Sequence, residues 1–367
     1  MRVAIVHYWL IGMRGGEKVI EALCEMYPQA DIFTHVYDAE AISDTIKRHH
    51  IIPSFINALP RARSMYKNYL PLMPMALEQL DLNGYDLVIS SESGPAKGVI
   101  APPDALHVCY VHTPMRYIWN MYHDYRNGAG VLKRWLMPAF AHYLRQWDVS
   151  TSLRVDHHIA NSRTVAARIR RYYHADADVI YPPVDVDAFD IVPHDQLGDY
   201  YLMVGELVAY KRPDLAIRAF NEMGLKLVVI GGGELLKDAR ALAGPTVTVM
   251  GPQKFDVLKH HYARCRALIF PGEEDFGIVP VEAMASGRPV IAYAAGGALE
   301  TVVPGLTGAF FKEQSIEAIS RAVRSFDPDR VDPQAIAAHA ATFDREIFKT
   351  RMRDTIDRLM QARHERR

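Results

Sequence analysis

The segment Glu274-Asp275-Phe276-Gly277-Ile278-Val279-Pro280-Val281-Glu282 follows a short apolar run and opens a predicted helix at Val279. Backbone N–H groups at a helix start lack partners and attract anions. Gly277 lets a ligand approach the backbone, and Pro280 tolerates the first turn because its missing N–H costs little there. Glu274 lies in the loop at the helix mouth and Glu282 about one turn inside. Two carboxylates around an anion site fit a nucleotide sugar: amides hold the diphosphate while carboxylates accept bonds from sugar and ribose hydroxyls. Taken alone, the segment also reads as an ordinary acidic capping loop.

Three further segments carry chemistry of the same kind. Gly205 through Asp214 leaves a predicted strand, and its loop carries Lys211 and Arg212 before Pro213 starts a helix. Cations at the carboxyl end of a strand suit a diphosphate, although a Lys-Arg pair is usually solvated surface. Gly15-Gly16 ends a loop after the first strand, just before a helix expected near Glu17. It offers flexible N–H groups to a phosphate, with a plain turn as the competing reading. His112 ends a buried strand just before Thr113-Pro114, where a ring points to the ligand edge of the sheet. Gly231-Gly232-Gly233 and Gly296-Gly297 read as turn glycines. Asp176/Asp178, Asp185/Asp187 and Asp327/Asp329 mimic a metal-binding DxD, but each sits in a proline-rich or helix-flanking turn, so no metal is expected.

The elements that must position these groups alternate. Apolar, β-rich runs fall at 2–7, 31–34, 86–90, 107–112, 157–160 and 179–181, then at 201–204, 226–230, 246–250, 267–270, 289–292 and 308–311. Continuous apolar runs are the mark of strands covered on both faces. Helical stretches fill the gaps at 17–26, 162–173, 213–221, 234–242, 256–264, 279–286 and 316–326. The alternation predicts parallel, doubly wound α/β sheets. Pro182-Pro183 interrupts it and reads as a linker. The expected organisation is one α/β domain over 1–182, a second over 183–344, a cleft between them and a C-terminal helix over 345–367.

Composition excludes several classes. The chain has 367 residues, 49% of them hydrophobic and 23% charged, so it is neither disordered nor collagen-like. Its net charge of −1 argues against a nucleic-acid binder. Cys24, Cys109 and Cys265 lack metal-type spacing and read as buried thiols of a reducing compartment. Val3–Ile11 mimics a leader, but His7 interrupts it and no small-residue cleavage site follows. No apolar run reaches the ~18 residues of a spanning helix.

Taken together, these motifs resemble the retaining glycosyltransferases of family 4, with the GT-B fold of two Rossmann-like doubly wound domains. Glu274 to Glu282 matches the family's two-glutamate signature. Gly15-Gly16, His112-Thr113-Pro114, Asn161-Ser162, Pro182-Pro183-Val184-Asp185 and Gly296-Gly297 with Glu300 fall in the family's order. Tyr110–Trp119 and Tyr210–Asp214 look most like mannosyltransferases of bacterial surface polysaccharides. The resemblance implies catalytic roles for His112, Glu274 and Lys211. It implies donor contacts from Gly15, Gly16, Gly205, Lys211, Arg212, Glu274, Phe276, Gly277, Ile278 and Glu282. Glu206 stands where the family often has arginine, which leaves Arg212 to compensate. The resemblance also implies that the domain over 1–182 takes the acceptor and the domain over 183–344 the nucleotide sugar, and that the C-terminal helix packs back on the first. No cofactor beyond the donor is implied.

The acceptor is read from local charge. Residues 45–77 carry Lys47, Arg48, Arg61, Arg63 and Lys67 with no acid, and 116–147 carry four basic residues beyond Arg116 against Asp124 alone. Trp119, Trp135, Trp147 and several tyrosines are interleaved. This suits an anionic lipid surface, or a domain surface that packs its tryptophans inward. The expectation is a cytoplasmic hexosyltransferase, peripheral to the membrane, moving mannose from GDP-mannose to a lipid-linked or oligosaccharide acceptor. Alternatives are a UDP-sugar donor, an epimerase or phosphorylase of the same fold, and a sugar-binding protein without catalysis.

Overall fold

The computed structural model describes residues 1–365. It divides into two compact units, one of Met1–Pro183 with the segment from Phe348 on, the other of Val184–Ile347.

The first unit holds β1 (Val3–His7), β2 (Asp31–Thr34), β3 (Ile51–Pro53), β4 (Leu87–Glu92), β5 (Leu106–Val111), β6 (His157–Ala160) and β7 (Ala177–Val179). They form one sheet in the order β3-β2-β1-β4-β5-β6-β7, every pair parallel. Successive strand residues point to opposite faces. Val3 and Ile5 therefore enter one core with Leu87 and Ile89, while Ala4 and Val6 enter the other with Val88. Both faces are covered, which explains the uninterrupted apolar runs. The helix Arg345–Glu365 contributes Phe348, Met352 and Ile356 to the first core, one turn apart each time.

The second unit holds β8 (Tyr201–Val204), β9 (Leu227–Ile230), β10 (Val247–Gly251), β11 (Leu268–Phe270), β12 (Val290–Tyr293) and β13 (Gly308–Phe311), in the order β10-β9-β8-β11-β12-β13, again parallel throughout. Each sheet grows outward from β1 or β8 in one direction, then resumes on the other side with β4 or β11. Those reversals are the switch points where ligands bind doubly wound sheets.

Several expectations need correction. The strand expected at 179–181 lies at Ala177–Val179, because Asp178 on this half-exposed edge interrupts any apolar run. The three-residue edge strand β3 has no counterpart among the expected runs, being too short and ending in proline. The helix expected from Glu17 starts at Gly15, with Arg14 as its cap and Glu17 Oε2 accepting from the Arg14 N–H at 3.0 Å. A 22-residue helix, Val131–Ser152, was not anticipated. Pro138 lies inside it, and its two halves differ. Ala141, Leu144 and Trp147 are buried, whereas Val131, Leu132, Trp135 and Leu136 are exposed, Trp135 at 80%. The C-terminal helix is described to Glu365; Arg366 and Arg367 of the expected 345–367 lie outside the described residues. No helix among the described residues is long and apolar enough to cross a membrane. The three cysteines are buried and unpaired.

Candidate functional site

In the second unit the chemistry gathers where β8 and β11 leave the sheet side by side. Gly205 follows β8 with φ +143°, and Lys211 closes the short turn Ala209–Lys211. Gly272 follows β11. A Cβ on Gly272 would run into the Lys211 backbone, 2.6 Å from its Cα, so glycine is what lets the two loops meet. The meeting puts Lys211 Nζ 2.8 Å from Glu274 Oε1, with both side chains mostly shielded from solvent. Burial pulls the Lys211 ammonium toward neutrality, but the Glu274 charge and hydrogen bond outweigh it and leave its pKa raised.

The loop carrying Glu274 rests on the Gly296-Gly297 turn. Gly297 donates its N–H to the Glu274 carbonyl at 2.8 Å, and a Cβ on Gly297 would collide with the Phe276 backbone. These glycines, expected as a simple turn, shape the loop of the first glutamate. Phe276 is buried, its ring 5.7 Å from that of Phe343. Gly277 has φ +83° and caps the helix Ile278–Ala285, so the open helix end faces back along this loop. Glu282 lies one turn inside, where Oε2 accepts from Tyr262 Oη at 2.7 Å. Burial raises the Tyr262 phenol well above its usual range, and the Glu282 charge adds to it. Tyr262 has no sequence signal beyond its place in an amphipathic helical stretch, yet it orients the second glutamate. Behind Gly205, the β8 and β9 loops touch backbone to backbone: Gly205 donates to Ile230 O at 3.0 Å, and Leu207 donates to Gly232 O at 2.6 Å.

Arg212 follows Lys211 in the same loop, just before the helix Pro213–Met223. It adopts φ +53° and forms a two-pronged pair with Asp214, Nε to Oδ1 at 3.1 Å and Nη2 to Oδ2 at 3.0 Å. Its guanidinium is thus turned onto its own helix start. Glu206 is exposed at the loop tip.

In the first unit Gly15 and Gly16 form the opening turn of their helix rather than a loop. A Cβ on Gly16 would strike the Tyr8 hydroxyl, so tight packing accounts for this glycine as directly as phosphate approach does. His112 directly follows β5. Its N–H donates to Glu92 O at 2.8 Å, and its Nε2 lies 2.8 Å from Ser91 Oγ. Beneath this edge Lys97 is fully buried with Glu92 Oε1 at 2.6 Å, the Asp148 carboxylate and Tyr173 Oη; Trp119 Nε1 donates to Asp148 at 2.7 Å. This cluster was invisible in the sequence because its members come from distant elements. Ser162 caps the helix Arg163–Tyr173 by accepting from the Val165 N–H.

Four aspartates of the DxD look-alikes form ion pairs. Asp178 pairs with His157 and Arg358, Asp176 with Arg170, Asp327 with Arg330 and Asp329 with Arg266. Among the described residues no three His, Cys, Asp or Glu side chains are grouped as metal ligands would be.

The arrangement in the second unit offers a shielded ammonium, an oriented carboxylate and a helix N-terminus around one sheet edge. Residues 187–342 match the family described as glycosyl transferases group 1, and residues 13–188 match glycosyltransferase family 4. The D-inositol 3-phosphate glycosyltransferase of Mycobacterium avium (strain 104) is 32% identical over 219 residues, covering 51% of this chain and 51% of that protein. The protein of the same name from Mycobacterium tuberculosis is 30% identical over 227 residues, covering 52% and 46%. The match thus spans about half the length of these curated relatives. Among solved structures, sucrose-phosphate synthase from Thermosynechococcus elongatus superposes with a TM-score of 0.73 at 19% identity, covering 99% of this chain and all of that one. HepE of Anabaena, in complex with UDP and glucose, gives 0.68 at 17% identity over 97% of this chain and 99% of that one. The lipopolysaccharide outer core galactosyltransferase WaaB gives 0.66 at 16% identity, with the same coverage of each. The two family matches meet end to end from residue 13 to residue 342, and on that ground the chain belongs to family 4 of the glycosyltransferases.

Proposed function

We propose that the chain transfers a hexosyl group, with retention, from a nucleoside-diphosphate sugar to a saccharide acceptor. The observation that carries this reading is the Lys211–Glu274 pair beside the N-terminus of the helix Ile278–Ala285. Departure of a nucleoside diphosphate builds negative charge, and a fixed ammonium with open helix amides stabilises it. Lys211 takes the diphosphate, aided by backbone amides of Phe276, Gly277 and Ile278 and by Gly205. Glu274 then accepts bonds from donor-sugar hydroxyls, and Glu282, held by Tyr262, from the ribose. Gly15 and Gly16 approach the phosphates from the first unit, and His112 contacts the transferred sugar. Arg212 takes part only if it leaves Asp214. The leaving phosphate helps to deprotonate the acceptor, so Glu274 is not assigned as a covalent nucleophile.

The finer reading is mannose from GDP-mannose, moved to a lipid-linked or oligosaccharide acceptor in surface-polysaccharide assembly, without a metal. A membrane-side acceptor is supported by the exposed start of the helix Val131–Ser152, where Val131, Leu132, Trp135 and Leu136 stand beside Lys133 and Arg134. A UDP-sugar donor is the second reading, favoured by the likeness to HepE, which was solved with UDP and glucose. Melting with GDP, UDP and ADP separates the two, because a ligand of the native state alone raises the melting temperature. The expected result is stabilisation by GDP and slow hydrolysis of labelled GDP-mannose. Stabilisation by UDP alone overturns the donor assignment, and turnover of no nucleotide sugar overturns the transferase reading.

A further inference from the structure

At the ligand edge of the first sheet, one side chain from each of three adjacent elements joins a single hydrogen-bonded line. His7 ends β1, Ser91 lies near the end of β4, and His112 follows β5. The register sets His7 directly beside Ser91. His7 Nδ1 lies 3.1 Å from Ser91 Oγ, and Ser91 Oγ lies 2.8 Å from His112 Nε2. His7 and Ser91 are both fully buried. We propose that His7 and Ser91 are positioning residues that hold His112 as the neutral Nδ1–H tautomer, so that its ring meets the substrate as a hydrogen-bond donor. The inference rests on the reading above that His112 contacts the transferred sugar.

Proton counting decides the direction of the line. A serine hydroxyl has one proton, so Ser91 can donate to only one of the two rings and must accept from the other. If Ser91 donated to His7, the His7 proton would sit on Nε2. Among the described residues that atom is buried with no hydrogen-bond partner. An orphaned N–H in such a place is less tolerable than an orphaned lone pair. The favoured line therefore runs from His7 Nδ1–H to Ser91 Oγ, and from Ser91 Oγ–H to His112 Nε2. Nε2 of His112 is then occupied as an acceptor, and its proton is on Nδ1. Burial, with His112 nearby, also holds the His7 pKa well below the usual histidine value, so His7 stays neutral and the direction is not scrambled by a second proton. Packing keeps the ring in place: the Tyr8 ring centroid lies 4.0 Å from that of His7, and a Cβ on Gly16 would come 3.4 Å from His7 Cε1. A donor N–H suits the oxygen of a sugar hydroxyl or a phosphate, whereas the other tautomer would offer those oxygens a lone pair.

The test is tautomer-resolved 15N NMR of the histidine side chains in the full chain, with His112 identified by its loss in His112→Asn. The expected spectrum shows Nδ1 of His112 protonated, and the Nε2–H form gaining population in Ser91→Ala. In donor-turnover assays Ser91→Ala and His7→Phe should lower kcat about tenfold while KM for the donor changes less than twofold. Ser91→Thr and His7→Asn, which keep the hydroxyl and the N–H donor, should recover most of that loss and guard against an unfolded variant. An Nε2–H tautomer in the unaltered chain, or a His112 spectrum unmoved by Ser91→Ala, overturns the proposal. The expected spectra from a protein that turns over no nucleotide sugar uphold the relay and overturn the functional reading instead.

Discussion

Removing the charge of Lys211 tests the site most directly. Lys211 Nζ and Glu274 Oε1 are 2.8 Å apart, with side chains 15% and 18% exposed. At an effective dielectric of about 20, two unit charges at such range attract by about 4 kcal/mol or somewhat more. Desolvation of both groups consumes much of that. A surface pair is worth about 0–1 kcal/mol, and deleting one partner of a buried pair costs about 3–5 kcal/mol. This largely but not fully shielded pair should couple by about 1–3 kcal/mol. Lys211→Met leaves a shielded carboxylate without its cation and should cost more than Glu274→Gln, whose lysine can extend toward water. The double variant should regain much of the stability lost by Lys211→Met. All four tryptophans lie in the first unit (Trp9, Trp119, Trp135 and Trp147), so second-unit unfolding is followed by the far-UV circular dichroism that tryptophan emission does not share. Activity should part from stability: Lys211→Met and the double variant should both lose about 10²–10³ in donor turnover, as expected when one fixed charge at a developing anion is removed. Because the folded-state pKa of Lys211 is raised, its stabilisation is present below the unfolded lysine value of about 10.4 and fades only at more alkaline pH. Variants additive to within about 0.5 kcal/mol would refute the coupling, and full turnover by Lys211→Met would refute the assignment to the leaving group.

Four further outcomes follow from other contacts. His35 and His107 are buried with pKa values lowered to about 4 and His158 to about 3, all by burial. Each binds a proton more readily when unfolded, so below about pH 6.5 the first unit should lose about 1.4 kcal/mol per pH unit for each such histidine. A tryptophan-monitored midpoint that does not fall between pH 6.5 and 5 counts against this. Gly16→Ala should destabilise the first unit by about 1–3 kcal/mol through overpacking, and Tyr8→Phe, which removes the obstructing hydroxyl, should restore part of it; melting of the single and double variants reads this out. Tyr262→Phe deletes a hydrogen bond to a charged carboxylate, worth about 1.5–3 kcal/mol, and should raise the donor KM by roughly tenfold or more with kcat little changed. Trp135→Ser with Leu132→Ser should reduce co-sedimentation with vesicles rich in anionic phospholipid, and equal binding by the unaltered chain and the variant removes the membrane reading of that helix.

Much of the frame was legible because strands covered on both faces must be apolar throughout, and Val3–His7 or Leu227–Ile230 can be little else. Glu274 and Lys211 were legible as strand-end residues, but their contact was not. It depends on β11 lying beside β8 and on Gly272 admitting the Lys211 backbone, neither of which is a local property. Val131–Ser152 carries no clear helical signal, because Pro138 and its exposed apolar start break the amphipathic period. The pairing of Arg212 was not legible, because it depends on the backbone turn that brings its guanidinium onto Asp214, two residues on. His7, Ser91 and Tyr262 looked like ordinary strand or helix residues, since their meaning lies in partners supplied by sheet order.

The return of the chain to the first unit has a consequence for engineering. Val184 donates to Phe343 O at 3.1 Å and accepts from the Arg345 N–H at 3.0 Å, so the second unit's entry and exit strands are zipped together. In topology that unit is an insertion with adjoining ends, like a loop grown to domain size. A cut after Pro183 alone would therefore strip Phe348, Met352 and Ile356 from a core that needs them. Splicing Pro183 to Phe348 through a short flexible bridge would keep that core whole, and residues 184–347 could be exchanged as a cassette.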